Sequence, residues 1–488
     1  MSFNSLEFLL FISLDLLIYY FISEKYKNIF LLVSSYLFYL YSGVKNTAVL
    51  FLYSLLIYLL GKFISISFNN KKSLFLTIFG VSISLLILIY YKYSLLFFEL
   101  LKQIQIGSNV EIENIIAPLG ISFYVFQAIS YLLDVYKRKI NAEESFVDFF
   151  LYLSFFPKLI VGPIEENNQY ISQIKNKRIF NWKQFYIGII YCLWGLFLKL
   201  VVADRAGLFV DAIFVDYKTY NGFYCVVASL LYSFQIYADF SGYSFLAVGV
   251  GKILGFELTK NFNAPYLTNS VNDFWKNWHI TLTSWFRKYV YIPLGGNKKG
   301  KLRKFVNKMI VFILSGLWHG SSITFVIWGI LNGLYVIIEE TLNPIQIRIE
   351  KKFNINKESQ LYKLLCNVRM FVLISFSWIF FRSKTISDAF GFINSLFALN
   401  NLNIFFDFSI FSNDLGLGAK NFLLLAIAII VLLIVDYFGK RGISIAEKIF
   451  NLNFIIRGVV IAFISLFIIL FGKYGPNLDI SSFIYMGF

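Results

Sequence analysis

The amino-acid sequence predicts an all-α integral membrane protein with about eleven transmembrane helices plus re-entrant segments. Hydrophobic residues make up 58% of the 488 positions and charged residues only 15%, and no soluble domain needs so much apolar surface. The apolar runs are rich in Ile, Leu and Phe, whereas strands of a transmembrane barrel alternate polar and apolar residues. Runs such as 421–435 and 458–470 approach the roughly 20 residues that a helix needs to cross a ~30 Å hydrocarbon core.

The predicted spans follow from apolar length combined with the charge of the flanking loops, because Lys and Arg accumulate on the cytoplasmic side. Lys25 and Lys27 follow the first apolar run, which predicts a cytoplasmic first loop and an N-terminus outside. Glu111 and Glu113 fall in a loop expected outside. The candidate spans are residues 6–22, 29–41, 47–60, 73–90, 115–133, 185–202, 226–238, 305–318, 324–338, 371–381, 422–437 and 459–470.

Two apolar stretches are too short or too broken to span the membrane. Residues 149–161 are interrupted by Pro157 and flanked by basic loops, which predicts a re-entrant hairpin entering from the cytoplasm. Broken backbone at membrane depth must be buried in protein or line a wet cavity. The Gly-rich residues 241–256 predict a second partial dip, preceded by a turn-like break after Asp239. No tandem repeat or soluble domain is recognisable, so residues 1–488 are predicted to form a single membrane domain.

The net charge of +16 bears on the partners of the chain. In a soluble protein it would suggest nucleic acid, but these basic residues lie in short loops between apolar runs, as the positive-inside rule expects. The sequence therefore favours the lipid bilayer, with its anionic headgroups, and excludes nucleic acid as a partner. Cys192, Cys225 and Cys366 are far apart and predict buried thiols without a disulfide framework.

Only two histidines occur in the chain, and each lies beside tryptophan. One ends the run Phe274-Trp-Lys-Asn-Trp-His279, and the other lies in Ser315-Gly-Leu-Trp-His-Gly320. Histidine can take up and release a proton near neutral pH. The sequence therefore makes both histidines candidate catalytic residues, although the alternative of ordinary interfacial residues in an aromatic belt stays open.

The two histidines are expected at different depths. A helix from Phe305 rises about 21 Å by His319, which places that histidine within the membrane thickness and nearer the outer side. An ionisable group at that depth is a functional-site hypothesis by default. His279 is expected on the cytoplasmic side, where a helix would place Trp275, Trp278 and His279 on one face.

Further polar residues are candidates for contacts with a substrate. Gln127 with Tyr124, and Gln235 with Asp239, lie inside apolar runs, where buried polar groups must be satisfied. They either tie helices together or line a cavity. Near the histidines, the candidate residues are Asp273, Trp275, Trp278, Arg287, Ser315 and Trp318.

Several other chemistries are not supported by the sequence. The two histidines lie too far apart for a zinc-binding spacing, and no P-loop or Gly-x-Ser-x-Gly nucleophile motif is present. The sequence therefore predicts no metal site and no bound cofactor. A histidine that works without a metal or a nucleophilic serine suits a general base that deprotonates a hydroxyl for attack on an activated acyl group.

Between residues 118 and 333 the chain resembles the membrane-bound O-acyltransferase superfamily, specifically its bacterial alginate O-acetyltransferase-like branch. Two departures concern Asn277, where members often carry a basic residue, and Asn332, where they often carry a further histidine. The motifs that carry the resemblance are Pro118-Leu-Gly-Ile-Ser-Phe-Tyr-Val-Phe-Gln127, Phe155-Phe-Pro-Lys-Leu-Ile-Val-Gly-Pro-Ile164, Tyr232-Ser-Phe-Gln-Ile-Tyr-Ala-Asp-Phe-Ser-Gly-Tyr243, Asn261-Phe-Asn-Ala-Pro-Tyr266, Phe274-Trp-Lys-Asn-Trp-His-Ile-Thr-Leu282, Tyr291-Ile-Pro-Leu-Gly-Gly296 and Gly316-Leu-Trp-His-Gly320.

The resemblance implies a ring of helices around a central funnel or tunnel, with residues 118–333 as the motif core and 366–488 as C-terminal transmembrane helices. It places His319 at the family's membrane-embedded histidine and His279 at its second, cytoplasmic-side polar position. It also implies a cytoplasmic acyl donor, either acetyl-CoA or an acyl-carrier thioester, and a separate periplasmic or extracellular acetyltransferase as partner.

The leading hypothesis is a multi-pass O-acetyltransferase of the bacterial cytoplasmic membrane that modifies a cell-surface polysaccharide or peptidoglycan. In this hypothesis His319 is the base or acyl relay, and His279 orients the donor or lines its entry. Two alternatives stay open at this point: D-alanyl transfer to teichoic acid from a carrier-protein thioester, and a polysaccharide or lipid transporter without catalysis.

Overall fold

The computed structural model of the chain describes residues 3, 5–67, 70–103, 117–220, 222–397 and 417–474. Helices are the only regular secondary structure in these residues, which confirms the all-α prediction. The predicted loop with Glu111 and Glu113 lies outside them. The described residues pack into two compact units, one from Met1–Cys192 and Tyr243–Thr259 and the other from Leu193–Gly242 and Lys260–Gly475. The domain limits at 118–333 and 366–488 stay predictions.

The first unit packs around buried aromatic and aliphatic side chains. Its helix ends follow local capping rules: the Ser5 hydroxyl accepts a hydrogen bond from the Phe8 amide at 3.2 Å, and the Ser145 hydroxyl accepts one from the Asp148 amide at 3.2 Å. Its helices are α1 (Leu6–Phe21), α2 (Glu24–Leu40), α3 (Val44–Ile66), α4 (Asn70–Gln103), α5 (Ile121–Tyr136), α6 (Phe146–Ser154), α7 (Phe156–Leu159), α8 (Asn167–Lys175) and most of α9 (Trp182–Leu196).

The second unit contains the segments that hold both histidines. A π-helical stretch, Phe197–Ala203, continues α9 without a break into the next α-helix, and a second one, Arg287–Tyr291, follows α13. The helices are α10 (Asp204–Val215), most of α11 (Gly222–Ile253), α12 (Val271–Asn277), α13 (Ile280–Phe286), α14 (Gly300–His319), α15 (Ile323–Lys352), α16 (Gln360–Arg382), α17 (Ile386–Phe397), α18 (Ala419–Lys440), α19 (Ile445–Phe450) and α20 (Phe454–Phe471).

Eight helical stretches of the described residues are long and apolar enough to cross a membrane, so the chain is a polytopic membrane protein. Fewer stretches meet that test than the sequence predicts, because α1, α2 and α5 have only 16, 17 and 16 residues and α14 opens with Lys301, Arg303 and Lys304. The eight stretches are Val44–Ile66, Asn70–Ser94, Trp182–Val215, Gly222–Ile253, Ile323–Lys352, Gln360–Arg382, Ala419–Lys440 and Phe454–Phe471.

The helices α18 and α20 have the surface that a bilayer requires. In the most apolar 18 residues of each helix, only 17% and 6% are buried inside the protein. Side chains such as Phe463 and Leu470 are exposed. Exposed apolar area on this scale is costly in water but not against lipid chains.

The predicted break after Asp239 is wrong. Residues 222–253 form one continuous helix of 32 residues, so neither a separate span at 226–238 nor a partial dip at 241–256 exists. Gly242 serves a close helix approach instead of a turn: a Cβ there would lie 2.9 Å from the carbonyl oxygen of Gly195. Asp204 and Asp211 fall between the predicted spans 185–202 and 226–238, where a loop is expected, but both lie in α10.

The backbone break predicted within residues 149–161 is present. The helix α6 ends at Ser154, and α7 begins at Phe156 with Pro157 in its first turn, where a missing amide hydrogen costs nothing. The broken segment is buried throughout in the first unit. Its re-entry from the cytoplasm stays a prediction.

Candidate active site

The second unit contains a cavity of about 1010 Å³ between α12, α13, α14 and α15. This volume is at the upper end of the range for sites that enclose small ligands. Both histidines of the chain line it. The polar and charged residues of its lining are Asn272, Lys276, His279, Thr283, Ser284, Arg287, Tyr291, Asn297, Lys298, Lys299, Lys304, Lys308, Ser315, His319 and Glu340.

His319 is the last residue of α14, and its side chain is buried. The imidazole packs edge-on against Trp318, Trp328 and Phe381, with ring centroids 4.9, 5.2 and 5.1 Å away. Because the negative end of the helix dipole lies at this position, it stabilises the positive charge that the ring gains when it takes up a proton. A base in an aromatic, water-poor wall of a cavity is suited to act on a bound hydroxyl.

Two glycines bring α14 and α15 into backbone contact beside His319. A Cβ on Gly316 would lie 2.3 Å from the carbonyl oxygen of Phe325, and a Cβ on Gly329 would lie 2.4 Å from the carbonyl oxygen of Phe312. The two contacts are reciprocal, since each helix supplies one glycine and one carbonyl. They fix the distance between the two helices next to the catalytic candidate.

His279 lies in a turn between two short helices, not on one helix with its neighbours. The helix α12 ends at Asn277, Trp278 is extended, and His279 has a left-handed backbone with φ of 45°. The expectation that Trp275, Trp278 and His279 share one helix face is therefore wrong. A left-handed backbone at a residue other than glycine costs on the order of 1–3 kcal/mol and is often found at functional sites.

Hydrogen bonds to Asn261 support this strained turn. The backbone carbonyl of Asn261 accepts from the Ile280 amide at 2.9 Å, and its side-chain oxygen accepts from the Thr281 hydroxyl at 2.6 Å. The Asn263 amide donates to the Asn277 carbonyl at 3.1 Å. These bonds hold the backbone on both sides of His279.

The His279 ring is almost completely buried between aromatic side chains. Its centroid lies 4.6 Å from that of Phe240 and 6.0 Å from that of Trp318. Trp318 also contacts His319, so one indole bridges the two imidazoles. Burial lowers the pKa of His279 to about 3, which makes the ring neutral at physiological pH.

We expect His279→Asn to lower the rate by about tenfold or more without changing the shape of the pH–rate profile between about pH 5 and 9. Because the pKa of His279 is about 3, the wild-type ring gains no proton in that range, and asparagine tolerates a left-handed backbone. The measurement is the rate of both proteins across that range in the acyl transfer that the family resemblance implies. Disappearance of a wild-type inflection in the variant would contradict the assignment of a neutral His279.

Tryptophans pack around the inner end of the cavity. Trp275 and Trp278 line it, and Trp328 and Trp378 stack behind them with centroids 5.7 Å apart. Trp275 contacts Trp328 at 5.5 Å, and Trp278 contacts Trp378 at 5.1 Å. Packed aromatic rings leave little room for water between them, and electrostatic interactions are stronger beside such a layer.

Basic residues dominate the charged part of the lining. Six cationic side chains line the cavity, against the single carboxylate of Glu340, which binds Lys308 at 2.5 Å and also Lys304. Arg287, Lys298 and Lys299 lie on the π-helical turn after α13 and in the loop that follows it. An excess of positive charge of this kind attracts anionic ligands.

The structure brings only part of the predicted site together. Trp275, Trp278, Arg287 and Ser315 line the same cavity as the two histidines. Trp318 contacts both imidazoles from outside the lining. Asp273 is half exposed and forms an ion pair with Lys276 at 2.8 Å, so it neutralises a lining residue and does not itself reach the cavity.

The four remaining candidates are buried outside the cavity lining. Asp239 forms an ion pair with Lys199 at 2.6 Å in the second unit, where Gln235 packs close to Gly207. Gln127 belongs to the first unit, where its amide nitrogen donates to the Glu165 carbonyl at 2.9 Å and lies 2.5 and 3.1 Å from the Tyr152 hydroxyl and the Asn167 side-chain oxygen. With Tyr124 it lines a separate cavity of about 10 Å³.

Sequence reasoning missed several lining residues. Tyr291 hydrogen-bonds to Asn297 across a turn in which Gly295 has φ of 105°, and that turn folds the loop towards the cavity. The pair Gly295-Gly296 was a usable signal for such a turn. Glu340 lies on α15, and only the packing of α15 against α14 brings it to the lysines.

Comparison with known proteins assigns the family. Residues 31–382 match the model of the membrane-bound O-acyltransferase family. The chain belongs to the membrane-bound O-acyltransferase family. It is therefore an acyltransferase, and the transporter alternative loses its basis.

Relatives of this membrane-bound O-acyltransferase include three groups of named proteins. It is 32% identical to a probable alginate O-acetylase of Pseudomonas putida over 446 residues, which cover 90% of this chain and 88% of the relative. It is 33% identical to a peptidoglycan O-acetyltransferase of Helicobacter pylori over 362 residues, covering 69% and 67%. A teichoic acid D-alanyltransferase of Bacillus subtilis is 26% identical over 287 residues, covering 56% and 70%.

Proposed function

We propose that this acyltransferase moves an acetyl group from a cytoplasmic thioester donor to hydroxyl groups of a cell-surface polysaccharide or of peptidoglycan. The observation that carries the proposal is the meeting of both histidines in one cavity that basic and aromatic residues line. The names of the relatives from Pseudomonas putida and Helicobacter pylori favour acetyl as the group transferred.

In the proposed mechanism His319 is the general base. Its imidazole takes the proton of the acceptor hydroxyl, and the hydroxyl oxygen attacks the carbonyl carbon of the thioester. The tetrahedral intermediate collapses with cleavage of the carbon–sulfur bond, and the imidazolium returns its proton to the leaving thiolate. The products are an O-acetyl ester and a free thiol. His279, neutral and held in a fixed turn, orients the donor.

The donor is proposed to be acetyl-CoA or an acyl-carrier thioester, which both carry phosphate. The excess of positive charge around Arg287, Lys298 and Lys299 supports a phosphate-bearing donor that enters on this side. The proposed steps use no metal and no bound cofactor, and both absences stay predictions from the sequence.

Charge reversal at Lys298 and Lys299 tests the entry of the donor. We expect Lys298→Glu/Lys299→Glu to raise KM for the donor by about tenfold at low salt and to leave kcat nearly unchanged, because these lysines act on encounter and binding. Lys351→Glu/Lys352→Glu is the matched control, since these adjacent lysines are exposed at the end of α15 and do not line the cavity. Equal KM values in the two double variants would contradict a donor site at this loop.

We further propose that the protein resides in the bacterial cytoplasmic membrane with its N-terminus outside. The accumulation of basic residues in alternate loops supports this orientation. A periplasmic or extracellular acetyltransferase is proposed as the partner that completes delivery to the polymer.

The chemical test of the proposed function is the ester content of the cell envelope. Mild base should release less acetate from a deletion strain than from the same strain complemented with the wild-type chain. Loss of D-alanine esters instead of acetate would overturn acetyl transfer in favour of D-alanylation, the alternative that the relative from Bacillus subtilis keeps open. No change in either ester would overturn the proposed function.

A further inference from the structure

A buried ion cluster in the second unit joins two helical stretches that are apolar enough to span the membrane, Trp182–Val215 and Gly222–Ile253. Lys199, in the π-helical stretch, places its ammonium group 2.6 Å from the Asp239 carboxylate on α11 and 2.9 Å from the Asp204 carboxylate at the start of α10. The side chains of Lys199 and Asp239 are only 3% and 2% exposed. Buried charges are expensive, so a cluster that the proposed chemistry does not use calls for another role.

One face of α11 is fastened to the π-helical stretch. Asp239 and Gly242 are three residues apart and share that face. A Cβ on Gly242 would lie 3.3 Å from the Lys199 amide nitrogen, as well as 2.9 Å from the Gly195 carbonyl. The ion pair and the close backbone approach together fix the rotation of α11 about its axis and its position along the π-helical stretch.

A different face of α11 supports the turn that carries His279. Phe240 lies 4.6 Å from the His279 ring, and Tyr237 lies 5.8 Å from the Trp278 ring, measured between centroids. Both also contact Phe262, at 4.9 and 5.6 Å. Phe240, which follows Asp239 in the chain, is therefore the α11 residue that packs against the imidazole of His279.

We infer that Asp239 is a positioning residue for His279, acting through Phe240. The ion pair with Lys199 holds α11 in the rotation that presses Phe240 against the imidazole. Asp204 binds the same ammonium group but lies on α10, so it does not hold α11. The two carboxylates therefore share one cation, but only Asp239 links that cation to the histidine turn.

The presence of only two histidines allows a direct test on the purified full-length protein in detergent. Diethyl pyrocarbonate carbethoxylates histidine, and mass spectrometry of the two histidine peptides reports each site separately. We expect Asp239→Asn to raise the rate at His279 by about threefold or more, because the turn opens more often, while the rate at His319 stays at the wild-type value. Asp204→Asn, the matched control with the same loss of charge beside Lys199, should leave both rates unchanged.

Kinetics provide the second readout, and only this part rests on the proposed function. Asp239→Asn should lower kcat by about tenfold with little change in KM for the donor, as a small misplacement of a reacting group does. Asp204→Asn should stay within about twofold of wild type. If the wild type transfers no acyl group but the reactivity pattern appears, the proposed function fails and the positioning role stands.

Two outcomes would overturn the inference. Equal effects of Asp239→Asn and Asp204→Asn on His279 would mean that the cluster acts only through its charge or through overall stability. An unchanged His279 rate in Asp239→Asn would mean that the ion pair does not reach the turn. If Asp239→Asn does not accumulate, Phe240→Leu decides, because it keeps the ion cluster and removes the ring contact. It must raise the His279 rate selectively for the inference to stand.

Discussion

Replacing His319 by alanine is expected to reduce acyl transfer by about 10²- to 10⁴-fold, the contribution of a general base. The ring lies at the end of α14 and lines the cavity, and the helix dipole stabilises its protonated form. The measurement is envelope ester in a deletion strain complemented with the variant, at expression matched to wild type by blot.

His319→Gln is the control for shape. Glutamine keeps polar atoms in the aromatic pocket but cannot accept and return a proton near neutral pH. It should therefore lose activity as alanine does while keeping the thermal stability of the wild type. Retention of more than about a tenth of wild-type transfer by His319→Ala would contradict the role of base.

The second large effect is expected from Gly316→Ala. The added Cβ would lie 2.3 Å from the Phe325 carbonyl oxygen, so α14 and α15 must separate beside His319. Overpacking of this kind costs about 1–3 kcal/mol or more of unfolding free energy. Thermal unfolding in detergent should show a lower midpoint, and transfer should fall with it because His319 moves away from the cavity wall.

Gly458→Ala is the matched control, since nothing lies within 4 Å of a Cβ at that position in α20. The same methyl group there should leave both stability and transfer at wild-type values. If Gly316→Ala unfolds at the same temperature as this control, the close approach of α14 and α15 does not exist in solution.

The sequence predicts the helical membrane class well and the helix ends poorly. Hydropathy identifies only the apolar part of a helix. The predicted span at 324–338 therefore covers only the N-terminal part of α15, which continues as far as Lys352. The predicted dip at residues 241–256 is wrong because local propensity does not report a tertiary contact. Gly242 suggests a turn by local propensity, but the close approach of the Gly195 carbonyl, a tertiary contact, requires glycine inside a helix.

The candidate site was predictable where its residues are close in the chain. Trp275, Trp278 and His279 could be grouped from one motif, although the left-handed backbone of His279 depends on hydrogen bonds to Asn261 that the local sequence does not reveal. The meeting of His279 with His319 in one cavity was not predicted, because the sequence placed the two histidines at different depths and only the packing of α12, α13, α14 and α15 brings them together. The ion pair between Lys199 and Asp239 could not be predicted from the sequence, because the two residues are forty positions apart and Lys199 lies in a π-helical stretch.

The most direct test of the central claim is donor turnover by purified protein in sealed proteoliposomes. Acetyl-CoA is supplied on one side of the membrane, and the partner acetyltransferase with a soluble oligosaccharide acceptor on the other, and the release of free thiol is followed with time. Wild type should release thiol in step with ester formation on the acceptor, and His319→Ala should release none above the protein-free background. Equal thiol release and ester formation by the two proteins would contradict the account.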